Sequence, residues 1–302
     1  MSEHVKESIR VLLSEAIDYA GLFPPAGLPM AESVINYATY RNSNYKWMLG
    51  RFVCPVGRLD EFSESALDFF PRESDDPWRV SALASGDLGE TADAITAFNE
   101  KFEGKAVIDM LELKATSEAE IESAAKALPE GLTNYFELPL DESLPETISA
   151  LAVNRQRAKI RTGGVTSDLF PSTRDVIRFI RTCVAANTPF KATAGLHHPI
   201  RCFKPLTYEP DSPSGTMHGF LNVFLATGFA RESFRPEVLE QVMEEEFEEV
   251  FKFTDNEAVW QKEYELTVYQ IEALRGKGIN SFGSCSFDEP IADLQELGIL
   301  EG

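Results

Sequence analysis

Along this chain, short runs dense in apolar and β-branched residues alternate with longer stretches in which apolar residues recur every three or four positions. The first pattern is that of a buried strand and the second that of an amphipathic helix. A helix is expected from about Glu3 to Ala16, with Ile9, Leu12, Leu13 and Ala16 on one face. "IDYAGLFPPAGLPM" then gives a brief strand that opens into a Pro/Gly loop, and the helix "MAESVINYATYR" follows. Further strands are expected at "WMLGRFVCP" (47–55), "WRVSALAS" (78–85), "KAVIDMLELKA" (105–115), "TNYFELPL" (133–140), "AKIRTGG" (158–164), "FKATAGLHH" (190–198) and "INSFGSCSF" (279–287). Helical patterns such as "TADAITAFNEKF", "SEAEIESAAKAL" and "STRDVIRFIRTCVAAN" fill most of the gaps. Parallel strands need crossover helices, and eight such units close into an α/β (β/α)8 TIM barrel. An open doubly wound sheet is the alternative. It would usually carry a G-x-G-x-x-G turn after an early strand, and none is found.

No low-complexity linker divides residues 1–302, so one domain is expected. One interval, 202–278, is far longer than a single crossover helix requires. It begins with the Pro-rich "CFKPLTYEPDSPSG" and continues with the apolar "MHGFLNVFLATGFA". Two charged helices are then expected, around "PEVLEQVMEEEFEEVF" and "NEAVWQKEYELTVYQIEALRGK". The interval reads as a helical insertion between strands 7 and 8, either a lid over the active site or a dimerisation arm.

Composition narrows the partners. The formal net charge is -21, which repels nucleic acid phosphates and anionic membranes. No apolar stretch reaches the ~18 residues of a membrane span, and the start lacks a signal-peptide pattern. The four cysteines, Cys54, Cys183, Cys202 and Cys285, show no C-x-x-C or metal-ligand spacing, so a reduced, cytoplasmic protein is expected. Self-association is common among barrels and is compatible with this chain.

Candidate chemistry lies at the strand ends, where barrel active sites are built. The polar residues there are Asp18, Arg51, Asp109, Glu112, Lys114, Glu137, Lys159, Arg161, Lys191, Thr193, His197, His198, Ser284 and Ser286. A small pattern occurs twice: Lys159-Ile-Arg-Thr-Gly163 and Lys191-Ala-Thr-Ala-Gly195. Two lysines at similar depth on neighbouring strands repel, and partial burial adds to that. Both effects lower a lysine pKa from ~10.4 toward neutrality, and a neutral amine can form a Schiff base with a carbonyl. The competing expectation is that Asp109, Glu112 or Glu137 simply pairs with each lysine. Pairing of both would count against imine chemistry. Glu112 and Glu137 could also form a carboxylate pair for acid–base work. Asp109 and Glu112 have odd separation, so they face oppositely unless a bulge intervenes.

These strands resemble those of deoxyribose-phosphate aldolases, the class I aldolase barrels. "KIRTG" is similar to that family's K-T-S-T-G strand, and "FKATAGLHHPIR" to its next strand, with a second lysine before a Gly-Gly turn. "SFGSCS" resembles its Gly-x-Ser-Ser phosphate-binding turn, "AVIDMLEL" its acidic fourth strand, and "RFVCP" its second. The resemblance is best over about 105–201 and 279–290. It implies that Lys159 forms the Schiff base, that Lys191 tunes it, and that Asp109 assists proton transfer. It places Gly195, Gly283 and Ser284 at the phosphate end. Two departures fall at that end: Leu196 replaces the second glycine, and the family has no insertion of this size.

Three functions follow as expectations. The first is an aldolase or lyase working through a Lys159 imine, without a cofactor, on a small anionic or carbonyl substrate. Arg161, Arg201 or the strand-8 turn would hold an anionic group. The second is a metal-dependent lyase, isomerase or hydrolase using a divalent ion at His197 and His198, completed by Glu112 or Glu137. Histidine could instead shuttle protons. The third is a non-catalytic ligand-binding barrel.

Overall fold

In a computed structural model, which describes residues 5–71, 76–84 and 86–300, the expected alternation is realised strand for strand. The beginning of the first expected helix, at Glu3, and the end of the third expected strand, at Ser85, lie outside the described residues. Helix α1 (Glu7–Leu13) precedes strand β1 (Ile17–Tyr19). The alternation continues through α2 (Met30–Tyr40), β2 (Leu49–Pro55), α3 (Leu59–Ala66), β3 (Trp78–Leu83) and α4 (Leu88–Lys101). It goes on with β4 (Ala106–Lys114), α5 (Glu118–Ala127), β5 (Thr133–Glu137), α6 (Leu144–Val153), β6 (Arg157–Arg161), α7 (Thr173–Ala185) and β7 (Phe190–Thr193). After the insertion come the last barrel strand, β13 (Ile279–Ser284), and α11 (Asp288–Glu296). The barrel closes in the order β1-β13-β7-β6-β5-β4-β3-β2, all neighbours parallel. This is the expected (β/α)8 barrel.

The helices begin where the chemistry of the chain starts them. Asp87 caps α4 by accepting from the Gly89 and Glu90 amides, Ser117 caps α5, and Ser172 caps α7. Between helices and strands the apolar faces merge into one core that runs from Ile9 to Leu300.

The 202–278 insertion does contain the expected helices, but they share it with five short strands. A hairpin of β8 (Cys202–Pro205) and β9 (Ser214–Met217) comes first. Helices α8 (Phe220–Arg231) and α9 (Pro236–Met243) follow. A small antiparallel sheet is made by β10 (Phe251–Phe253), β11 (Glu257–Trp260) and β12 (Tyr264–Thr267), and α10 (Val268–Lys277) leads into β13. The charged stretches around "FKF", "EAVW" and "YELT" therefore form sheet where helix is expected, with more and less buried positions alternating along each strand. Helix α8 is buried all round from Phe220 to Phe229, and Phe220 stacks on Phe282 of β13 with ring centroids 4.8 Å apart. The insertion therefore fills the wall beside β13 and supplies core.

Candidate active site

Two strand registers set the site. Lys159 of β6 and Lys191 of β7 are direct register partners, and Glu137 of β5 pairs with Lys159 on its other side. Their side chains meet Glu112 of β4 inside the barrel. Lys159 Nζ lies 2.8 Å from Glu112 Oε2 and 2.9 Å from Glu137 Oε2. Lys191 Nζ lies 2.7 Å from Glu112 Oε1 and 2.5 Å from Asp18 Oδ2. Glu112 thus bridges the two ammonium groups, one oxygen to each. Ser81 donates to Glu112 Oε1 at 2.7 Å and Ser281 to Asp18 Oδ2 at 2.7 Å. The Arg51 amide donates to Asp18 Oδ1 at 2.8 Å, and the space for that carboxylate exists because residue 50 is glycine. A Cβ there would come within 2.4 Å of Asp18 Oδ1.

The electrostatics reverse the expected lowering of the lysine pKa. Burial does oppose the Lys159 ammonium, but the charges of Glu112 and Glu137 outweigh it and hold the pKa above the ordinary lysine value. Lys191 behaves alike, with Asp18 and Glu112 overcoming a deeper burial. Burial likewise works against the Glu112 carboxylate, and the two lysines overcome it and keep that group far below the usual carboxylate range. The mutual repulsion of the lysines is real in geometry, but the carboxylate between them cancels it. Both lysines are ammonium groups, which counts against a ready-made imine nucleophile.

Above this network lies a cavity of about 690 Å³ at the C-terminal ends of the strands. Glu112, Glu137 and Lys159 form its charged floor, and Phe23, Pro24, Pro25, Val53, Leu83 and Leu113 give it apolar walls. Arg161, Thr193, Gly195, His197 and Gly283 also line it. The Arg161 side chain is 47% exposed at the rim, where its guanidinium donates to the Gly163 carbonyl at 3.2 Å and its Nε lies 3.8 Å from Glu137 Oε1. None of the residues 202–278 lines the cavity.

Several expected residues lie elsewhere. Asp109 sits toward the N-terminal end of the barrel, where Arg51 grips it at 2.6 and 2.8 Å and Arg79 at 3.0 Å. A one-residue bulge in β4, between the pairs Val80–Ile108 and Ser81–Met110, falls at Asp109 and allows it and Glu112 both to find charged partners. The acidic partner of the lysines is therefore Glu112. Lys191 lies beneath the floor with a side chain 1% exposed, out of reach of a ligand. Arg201 turns to Glu246, and its amide donates to Asn222 at 2.9 Å. Ser284 Oγ accepts from the Ser286 amide at 3.4 Å and does not line the cavity.

The histidines do not converge. His198 Nδ1 lies 2.5 Å from Asp293 Oδ2, and burial keeps its pKa low. His218 Nε2 lies 2.9 Å from the Pro171 carbonyl oxygen. His197 Nδ1 lies 3.4 Å from Glu289 Oε2, and its ring centroid is 6.4 Å from that of His198. Glu112 and Glu137 are engaged by lysines. Among the described residues no group of three or more His, Cys, Asp and Glu side chains is arranged to hold a metal ion.

The sequence pattern undervalued Asp18, Ser81 and Ser281. Asp18 carried a signal, since it is a charge in the middle of a three-residue apolar strand that is wholly buried. No protein-family model matches the chain, and no curated protein matches it.

Proposed function

We propose that this protein is an enzyme of the aldolase or lyase kind, in which the Lys159 ammonium polarises the carbonyl of a small substrate and Glu137 moves a proton. The observation that carries this reading is the placement of one ammonium, 4% exposed, between two carboxylates at the floor of an apolar-walled cavity. A hydrogen bond from Lys159 to a carbonyl oxygen would strengthen as negative charge builds on that oxygen. The side chain of Glu137, 14% exposed, is the carboxylate better placed to receive a proton from substrate. In a retro-aldol cleavage it would take the β-hydroxyl proton. The Cα–Cβ bond would break, and its electron pair would pass to an enolate whose oxygen faces Lys159. Lys191, with Asp18, holds Glu112 ionised and fixed. Arg161 at the rim suits an anionic end of the substrate. Four free cysteines fit a reducing compartment such as the cytoplasm.

The resemblance to class I aldolases favours the rival use of Lys159 as an imine nucleophile, and trapping separates the two. The protein is incubated with small aldehydes, keto acids and sugar phosphates in deuterium oxide, with and without borohydride. We expect α-deuterium in at least one carbonyl compound, no borohydride adduct on any lysine, and loss of exchange in Glu137→Gln and Lys159→Met. An adduct on Lys159 would replace the acid role by imine formation. Tight binding of a panel member with no exchange would make the barrel a ligand-binding protein.

A further inference from the structure

Two residues that line the cavity take no part in the lysine–carboxylate network: Cys285 and His197. They come from separate segments, Cys285 directly after β13 and His197 in the loop after β7. Cys285 Sγ lies 3.9 Å from His197 Nδ1, which lies 3.4 Å from Glu289 Oε2 in the first turn of α11. Tyr208, from the loop of the β8–β9 hairpin, donates to Glu289 Oε2 at 3.1 Å, and its hydroxyl is 3.7 Å from Cys285 Sγ. Through this tyrosine the insertion contacts a residue that lines the cavity. Thiol and carboxylate both face the one ring nitrogen, Nδ1, so Cys285 is placed to exchange a proton with an imidazole that Glu289 contacts at the same atom. Burial disfavours the His197 imidazolium, yet Cys285 and Glu289 overcome it and push the pKa up to about 9. The other cysteines lack such support: burial raises Cys54 to about 12 and Cys202 to about 11, and raises Cys183 as well.

We propose that Cys285 is a second nucleophile of the cavity and forms a reversible hemithioacetal with small uncharged aldehydes. As the sulfur forms a bond to the aldehyde carbon, the C=O π pair moves to oxygen, which takes a proton from the His197 imidazolium. The thiol proton then replaces it on His197, beside Glu289. Thiol and aldehyde combine without any oxidant, reductant or leaving group. Apolar walls and the Glu289 carboxylate suit an uncharged electrophile over an anionic one. The proposal goes beyond the role given to Lys159 and does not rest on it.

The test is alkylation of the full-length protein with iodoacetamide from pH 5 to 9, read at each cysteine by peptide mass spectrometry, with and without glycolaldehyde. We expect Cys285 to label ahead of Cys54, Cys183 and Cys202 at every pH. Saturating glycolaldehyde should slow labelling at Cys285 alone by about tenfold or more, both in the wild type and in Lys159→Met. His197→Gln should cut the Cys285 labelling rate at pH 7 by roughly tenfold. Glu289→Gln should slow it as well. It serves as the test if circular dichroism shows that His197→Gln fails to fold. Labelling no faster than at the other cysteines, or no protection by glycolaldehyde, would overturn the proposal. Protection that disappears in Lys159→Met would also overturn it and assign the aldehyde to the lysine instead.

Discussion

Glu112 decides the character of the two lysines. It accepts from both ammonium groups with separate oxygens, so each lysine has a charge partner on either side. Removing one member exposes how differently the two lysines are placed. Lys191→Met would leave Asp18 and Glu112 buried and short of a cation, a loss on the order of 3–5 kcal/mol. Lys159→Met should destabilise less, because Glu112 keeps Lys191 and Glu137 keeps Arg161 near the cavity mouth. Urea denaturation of the two variants checks the order. Equal losses would mean that Lys159 carries structural load rather than a reactive role.

At the scale of the strand, the repeated Lys-x-x-x-Gly pattern records a register. Lys159 stands opposite Lys191, and four residues later Gly163 and Gly195 touch. A Cβ on Gly195 would lie 2.8 Å from Gly163 Cα, and its φ of +75° belongs to the left-handed region. Gly195→Ala should therefore cost roughly 1–3 kcal/mol and disturb the cavity rim. Gly27→Ala, with φ of +55° and nothing within 4 Å of the new Cβ, should cost only about 1 kcal/mol. Thermal unfolding of the pair separates backbone strain from collision. The insertion yields a second prediction. Phe220→Ala removes a fully buried ring stacked on Phe282 of β13 and should cost about 3–5 kcal/mol in urea unfolding. A peripheral arm would lose under about 1 kcal/mol from such a change.

For the whole molecule, the lysine–carboxylate network dictates how stability follows pH. The folded Glu112 pKa is lowered from 4.5, so its contribution is present above that pH and fades as acid protonates the folded group. The Lys159 pKa is raised from 10.5, so its contribution persists below that value and is lost only as pH climbs past it. A plateau from about pH 6 to 10 is expected, with a falling urea midpoint below about pH 4.5 that is shallower in Glu112→Gln. A midpoint independent of pH between 5 and 3 would show that the network contributes nothing to folding. No helix among the described residues is long and apolar enough to cross a membrane.

The sequence by itself determined the barrel, because alternation of strand and helix is a local pattern and eight such units leave few ways to close a parallel sheet. It also placed the two lysines at one depth, since strand parity and length fix which residues share a layer. The strands of the insertion were not legible, because short, charged strands are hard to tell from helix by periodicity. Three things were decided only in three dimensions. The bulge at Asp109 shifts the parity of β4 and hands the central acidic role to Glu112. Asp18 reaches Lys191 although 173 residues separate them, because closure of the barrel brings β1 and β7 to either side of β13. The charge state of the lysines depends on which carboxylates arrive within hydrogen-bond distance. Coulomb energy falls with separation, and separation across a barrel is a property of the fold.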